Sequence, residues 1–205
     1  MGEEEVKSIL VKNLNFTQNN IKTLEIFHRQ LLKHNKSHNL IGKSTEKNVW
    51  HRHILDSAQL VKFIEFKDGE SLSDLGSGAG FPGIIIAIFN KNPLFHVKLY
   101  EKSPVKADFL EKMSKYAKIN FKVIRENDLK KSKYSSTIVC RAFKKFPELM
   151  RISREIIKIP HKLIVLKGKS AQTEVNKALK EGKFEYRMEN SITDKESKII
   201  IVNAN

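Results

Sequence analysis

The sequence predicts an α/β protein: a mostly parallel, seven-stranded sheet covered by helices, preceded by a helical extension. Three observations predict it. The first 65 residues carry helical periodicity alone; from residue 71 onward strand-like and helix-like segments alternate; and the last two strand-like segments follow one another with no helix between them.

In "IKTLEIFHRQLLKH" (21–34) Leu24, Phe27, Leu31 and Leu32 recur at helical spacing, with Thr17 or Asn20 as the cap. "NKSHNLIGKST" (35–45) breaks the pattern with turn formers, and Thr45 is placed to cap a short helix through Trp50. A further helix is expected from about His53 to Phe66. "SLSDLG" (71–76) then reads as a strand, "GFPGIIIAIFN" (80–90) as a buried helix and "FHVKLYE" (95–101) as a strand. "SPVKADFLEKMSKYAK" (103–118) is an amphipathic helix opened by Ser103 and Pro104. Strands at "NFKVIREND" and "SSTIVCRAF" precede a helix at "FPELMRISREIIK", a strand at "HKLIVLKGK" and a helix at "AQTEVNKALKEG", which stops at Gly182. "KFEYRME" and "SKIIIVNA" close the chain as an antiparallel pair. The change of texture divides an N-terminal extension, 1–66, from a sheet domain, 67–205. No internal repeat or low-complexity segment interrupts either.

With 205 residues, 40% hydrophobic and 8% aromatic, the chain can bury a substantial core. Its longest apolar run, Ile84 to Phe89, is far below the roughly 18 residues of a membrane span. The opening "MGEEEVKSIL" is acidic where a secretory signal is basic and then apolar. A single cysteine, Cys140, excludes an internal disulfide and suggests a reducing compartment. A cytoplasmic monomer without a membrane partner is the expectation. The net charge of +15 favours a polyanionic partner, since neutralised phosphates release counterions. The basic residues cluster: between Lys102 and Lys133 ten Lys/Arg face four Asp/Glu.

The densest signal is "DLGSGAGFPGIIIAIF" (74–89), with Gly76, Gly78, Gly80 and Gly83 in eight positions. In a doubly wound sheet the first strand-to-helix turn lies at the ligand crevice, where glycine permits a tight turn and close approach of a ligand. The helix beyond it offers free N–H groups. Dinucleotides and S-adenosylmethionine (SAM) both use this layout. Asp74, at the strand end, suits a cationic cofactor and opposes a pyrophosphate. The G-S-G-A-G spacing, which includes Ser77, is not the G-x-G-x-x-G of dinucleotide sites. Glu101 closes the second strand, 25 positions after Gly76, where it can accept from ribose hydroxyls of either cofactor. SAM carries a sulfonium, an ammonium and a carboxylate, and this mixed set favours it.

Six segments in order, "LLKHNKSHNLIG" (31–42), "RHILDS" (52–57), "DLGSGAGFPG" (74–83), "EKSPVKADFL" (101–110), "CRAF" (140–143) and "LKGK" (166–169), resemble the bacterial 16S ribosomal RNA guanine-N7 methyltransferases, the glucose-inhibited division protein B family. The resemblance implies a class I SAM-dependent methyltransferase domain, Rossmann-like, with an N-terminal helical extension. It implies SAM as cofactor and 16S ribosomal RNA, or the small ribosomal subunit, as substrate. It places Gly76 and Phe81 against the cofactor, Asn127 and Asp128 beside the adenine, and Arg141 at the cofactor or substrate. It also suggests that His53 and Asp56 border the crevice, although Asp56 or Ser57 reads equally as a helix cap. The second-strand acid is often Asp in the family; Glu101 keeps its chemistry and lengthens its reach.

Guanine N7 is already a lone-pair nucleophile, so its methylation needs no general base. In-line positioning contributes up to roughly 7–11 kcal/mol in favourable cases, and Arg141 and His53 are the expected positioning residues. The target must be an unpaired or flipped base. No metal is expected: His34 and His38 lack the glutamate of H-E-x-x-H and a third ligand. Cys140 lacks the preceding proline of a cytosine-C5 nucleophile, and "CRAFKKF" is not the N/D-P-P-Y stretch of amino-group methyltransferases. Lys33, Lys36, Lys43, Arg52, Lys167 and Lys169 are the candidate RNA contacts. Phe143 and Phe146 fit base stacking or core packing. Two rivals remain open: a nicotinamide-dependent oxidoreductase and a non-catalytic rRNA-binding assembly factor.

Overall fold

Residues 1–125 and 135–204 are described by the computed structural model of the chain. Helix α1 (Glu3–Leu14) places three glutamates in its positive first turn and buries Val6, Leu10 and Leu14 at helical spacing. Helix α2 (Gln18–His38) opens with Thr17 and Asn20 acting together. Thr17 Oγ1 accepts from Asn20 N at 3.1 Å, and Asn20 Oδ1 accepts from Thr17 N at 2.9 Å, which completes a capping box.

The two short helices expected between Thr45 and Phe66 form one run of changing pitch. A 3-10 turn (Lys43–Asn48) leads into a π-helical turn (Trp50–Leu55), then α3 (Asp56–Ala58) and a second 3-10 turn (Gln59–Phe63). Thr45 lies inside the first turn rather than capping it, and Asp56 sits mid-run, so neither has the cap role that the sequence offered. The π-turn widens the backbone where Arg52 and His53 stand; such insertions recur at functional sites.

Among the described residues seven strands form one sheet: β1 (Ser71–Leu75), β2 (His96–Tyr100), β3 (Lys122–Ile124), β4 (Thr137–Arg141), β5 (His161–Lys167), β6 (Tyr186–Asn190) and β7 (Lys198–Ala204). Their order is β3-β2-β1-β4-β5-β7-β6. The first five are parallel; β7 is antiparallel to both β5 and β6, so the closing pair docks through its second strand. Helices α4 (Gly83–Phe89), α5 (Pro104–Tyr116), α6 (Phe146–Ile156) and α7 (Ala171–Glu181) complete the layers.

Strand alternation sorts side chains between two cores. In β5, Ile164 and Leu166 join a core with α1, α2, α4 and α5, whereas Leu163 and Val165 join one with α6 and α7. The N-terminal extension therefore packs on the sheet through the first core. Strand order reverses between β1 and β4, and a ligand crevice is expected outside the C-terminal ends of those strands.

Candidate active site

A cavity of about 550 Å³ opens at that reversal. One wall is the loop after β1; another is the run 40–56; β4 and β5 supply Arg141, Ala142, Lys167 and Gly168.

The loop is shaped mainly by its own packing. A Cβ on Gly83 would stand 2.1 Å from Leu99 Cδ2 and 2.6 Å from Asp74 Oδ2. On Gly76 it would meet Phe143 at 2.3 Å, and on Gly80 it would meet Ile84 at 2.5 Å. Gly78 differs. At φ 58 it lies in the left-handed region, its Cβ position is open but for Gly76 O at 3.9 Å, and it lines the cavity. Of the four glycines, this is the one whose missing side chain leaves room in the cavity wall.

Asp74, expected to face a cationic cofactor, instead lies fully buried and outside the cavity lining. Its Oδ2 accepts from Gly83 N at 2.9 Å, while Oδ1 has no hydrogen-bond partner among the described residues. Burial raises its carboxyl to about 7, against the pull of the Gly83 N–H and of Arg141. The α4 N-terminus, expected to offer free N–H groups, has its first one taken by this carboxylate. Glu101 is similarly occupied: Oε2 accepts from Gly78 N and Oε1 from Ser103 N, both at 2.8 Å. Asp74, Gly80 and Glu101 thus stand behind the loop, whereas Gly76, Ser77, Gly78 and Phe81 line the cavity.

Opposite the loop, Arg141 is held by its surroundings. Its Nη2 donates to His53 Nδ1 at 2.7 Å; its Nη1 donates to Arg52 O at 3.1 Å and to Asp56 Oδ2 at 3.4 Å. A guanidinium only donates, so His53 Nδ1 must be the bare nitrogen. Nε2–H then donates to Thr45 Oγ1 at 2.8 Å, and the Thr45 hydroxyl passes its hydrogen to Gly42 O at 2.9 Å. Burial first, and then the Arg141 and Arg52 charges, pull His53 down to about 3, so the ring is neutral at any physiological pH. Phe81 lies beneath both groups, stacked on His53 at 5.0 Å and under the Arg141 guanidinium at 5.1 Å. Ala142, next in the chain, adopts φ 52 in the cavity wall; this strain costs roughly 1–2 kcal/mol for a residue with a Cβ. Asp56 borders the cavity, as the resemblance suggested.

The lysines divide. Lys167 lines the cavity, but its ammonium binds Glu174 at 2.8 Å and Lys144 O at 2.5 Å, so it is a packed internal cation rather than a free phosphate ligand. Arg52 pairs with Asp194 at 3.0 Å. Lys33, Lys36, Lys43 and Lys169 are exposed but outside the cavity lining, and Lys36 borders a separate depression beside Trp50. Lys106, which the sequence reading did not single out, does line it. Its signal was available: it is a basic residue one turn into the helix after the second strand. Thr45, expected as a helix cap, instead lines the cavity and accepts from His53. Asn127 and Asp128 lie outside the described residues. Phe146 is core, Phe143 covers Gly76, and Cys140 is buried with its thiol pushed well up by desolvation, which leaves no thiolate for attack.

The residues present fit SAM: Gly78 leaves room at the wall formed by the loop after β1, and Phe81 and Arg141 line the same cavity. The fold is that of the class I SAM-dependent methyltransferases. A SAM-dependent methyltransferase from Aquifex aeolicus matches it with a TM-score of 0.58 over 73% of this chain and 90% of its own, at 13% identity. Residues 20–201 match the family model described as rRNA small subunit methyltransferase G. Relatives bearing the name ribosomal RNA small subunit methyltransferase G are 40% identical over 182 residues in Rickettsia felis, covering 89% of this chain and 92% of that one, and 37% identical over 193 residues in Pelagibacter ubique, covering 92% and 90%. The chain belongs to the rRNA small subunit methyltransferase G family.

Proposed function

We propose that the protein transfers the methyl group of SAM to N7 of a guanine in 16S ribosomal RNA, acting as a cytoplasmic monomer on the RNA or on the small subunit. SAM-dependent rRNA methylation follows from family membership; the choice of atom rests on the cavity. One observation carries it: the cavity's imidazole and carboxylate are already committed to neighbours. His53 is neutral with both nitrogens engaged, and Asp56 accepts from Arg141 on one oxygen and from Thr193 and Gln59 on the other. Such a site suits a nucleophile that has no proton to lose.

When bound, SAM supplies an electrophilic methyl group that the N7 lone pair takes directly. Arg141 aligns cofactor and base, and His53 positions Arg141. Gly76, Ser77, Gly78 and Phe81 hold the cofactor, with Asn127 and Asp128 on its adenine side; Asp74, Gly80 and Glu101 keep the loop in shape. Exposed Lys33, Lys36, Lys43 and Lys169, together with Arg52 and Lys106, take the RNA backbone. Residues 1–66 serve as the extension and 67–205 as the catalytic domain. No helix among the described residues is long and apolar enough to cross a membrane.

Mass spectrometry of 16S rRNA from a strain lacking the gene tests the reading. Loss of one 7-methylguanosine is expected, and an unchanged inventory overturns it. Calorimetry separates the oxidoreductase, which would bind NAD in place of SAM. Transfer of labelled methyl to small subunits from the deletion strain separates the non-catalytic assembly factor.

A further inference from the structure

We propose that the β6–β7 connection is a strap that sets the position of Arg141 through Asp56, so that Thr193 is a positioning residue for methyl transfer although it lies outside the cavity lining. The inference rests on the reading of Arg141 given above.

Asp56 joins three distant parts of the chain. Its Oδ2 faces Arg141 at 3.4 Å, a long contact for a guanidinium and a carboxylate; a free pair would close to about 2.7–2.9 Å, often as a two-pronged fork. Its Oδ1 is drawn the other way. Thr193 Oγ1 donates to it at 2.7 Å, Gln59 Nε2 at 3.1 Å and Ser191 Oγ lies at 3.4 Å. With the Thr193 hydrogen on Asp56, the Ser191 hydroxyl supplies the hydrogen of the 2.8 Å Ser191–Thr193 contact. Ser191 Oγ then accepts from Gln59 Nε2 at 2.9 Å and from Thr193 N at 3.2 Å, and Gln59 Oε1 accepts from Ile192 N at 2.9 Å. Ser191 and Gln59 are both buried. Asp194, the next residue along, holds Arg52, whose carbonyl is itself an Arg141 acceptor.

The balance has a direction. The strap holds the carboxylate back from Arg141, which leaves the guanidinium shared between Arg52 O and His53 and seated over Phe81. Without the Thr193 hydroxyl, Asp56 loses its shortest hydrogen bond and closes on Arg141. The guanidinium then follows the carboxylate away from His53. A displacement of this kind at an aligning residue costs rate rather than affinity.

The test uses the full chain with Thr193→Val, which keeps the shape and removes the hydroxyl, and Thr193→Ser, which keeps the hydroxyl. Methyl transfer to small subunits gives kcat and KM; NMR follows the His53 ring through its titration. Thr193→Val is expected to lower kcat about 10- to 100-fold with KM for RNA within about twofold, and to raise the His53 pKa as the neighbouring cation withdraws. Thr193→Ser is expected to restore both. Wild-type kcat together with a wild-type His53 titration in Thr193→Val overturns the strap. If that variant melts early, Thr193→Ala removes the same hydroxyl without placing a methyl beside the carboxylate, and the same two readouts decide. If the wild-type protein methylates no rRNA, the proposed function fails and the His53 titration alone judges the strap.

Discussion

The two walls of the cavity are built in opposite ways. The loop after β1 lies within one short stretch, 74–83, and is held by hydrogen bonds to backbone N–H groups and close packing: Asp74 to Gly83 N, Glu101 to Gly78 N, and Gly80 N to Ser77 O at 2.7 Å. The Arg141 clamp gathers groups 85 to 89 positions away, and two of the three bonds that hold it run to side chains, the third to the Arg52 carbonyl. The shape of the loop is therefore inseparable from folding, whereas the clamp is carried by a fold that stands without it. Substitutions in the loop should register first as lost stability, and those in the clamp as lost rate.

The largest separation is expected at Arg141. Arg141→Ala removes the group proposed to align cofactor and base and should lower kcat by about 10²–10³. The fold should persist, because Asp56 keeps Thr193 and Gln59 as donors. Arg141→Lys should recover little of the rate, since an ammonium cannot reproduce the fork that reaches His53, Arg52 O and Asp56 together. Single-turnover methyl transfer beside thermal denaturation measures both quantities. An Arg141→Ala protein that melts early yet turns over normally would break the comparison.

On the loop side the next effect is a pH dependence. The Asp74 carboxyl sits at about 7 when folded and 3.8 when free, so the folded chain holds a proton that the unfolded chain releases between those values. Stability should fall as pH rises from about 4 to about 7 and level off above, by on the order of 4 kcal/mol. Asp74→Asn still offers an oxygen to Gly83 N and should flatten this part of the profile. Urea denaturation of both proteins at pH 4.5, 6 and 7.5 gives the difference; parallel slopes would show that the buried acid is not the source. Smaller, and on the same wall, is Gly83→Ala. Its methyl has no room between Leu99 and Asp74, and overpacking of this kind costs about 1–3 kcal/mol. Gly78→Ala meets open space instead. Its stability loss is limited to the roughly 1–2 kcal/mol of a side chain at positive φ, and calorimetry should show its main effect on SAM affinity.

What could be read from the sequence follows the same division. Local features were legible because their causes are local. "HKLIVLKGK" read as a strand, Thr17 and Asn20 announced the start of α2, and the glycine spacing located the crevice. The loop's purpose was half legible: the glycines marked a turn with no space to spare, but three of the four owe their absent side chains to Phe143, Ile84 and Leu99 rather than to a ligand. Asp74 was assigned to the cofactor because a carboxylate at a strand end carries no mark of which side of the loop it will occupy. Arg141 and His53 emerged only through resemblance, since nothing across the 88 positions that separate them says that guanidinium and imidazole meet. The Asp56–Thr193 bond, across 137 positions, depends on β7 turning back between β5 and β6, a topological fact with no local trace.

The smallest effect tests the same distinction within three residues. Lys167 and Lys169 look equivalent in "LKGK", and both were read as RNA contacts. In the fold Lys167 points inward to Glu174 and Lys144 O, its side chain 11% exposed, whereas Lys169 is exposed on the loop beyond β5. Glu174 also accepts from Phe146 N at 2.7 Å, so the Lys167–Glu174 pair ties β5 and α7 to the start of α6. Lys167→Ala should cost stability, at about 1.5 kcal/mol for a mostly buried charge-assisted bond, and leave the salt dependence of RNA binding unchanged. Lys169→Ala should do the reverse: no change in denaturation midpoint, and a logarithmic salt slope reduced by about 0.7–0.9 if it meets one phosphate. Binding to small subunits at 50, 100 and 200 mM salt, alongside urea melts, places each lysine in one column or the other. A reduced slope in Lys167→Ala would mean that its ammonium leaves Glu174 for RNA, and that this wall of the cavity rearranges when substrate arrives.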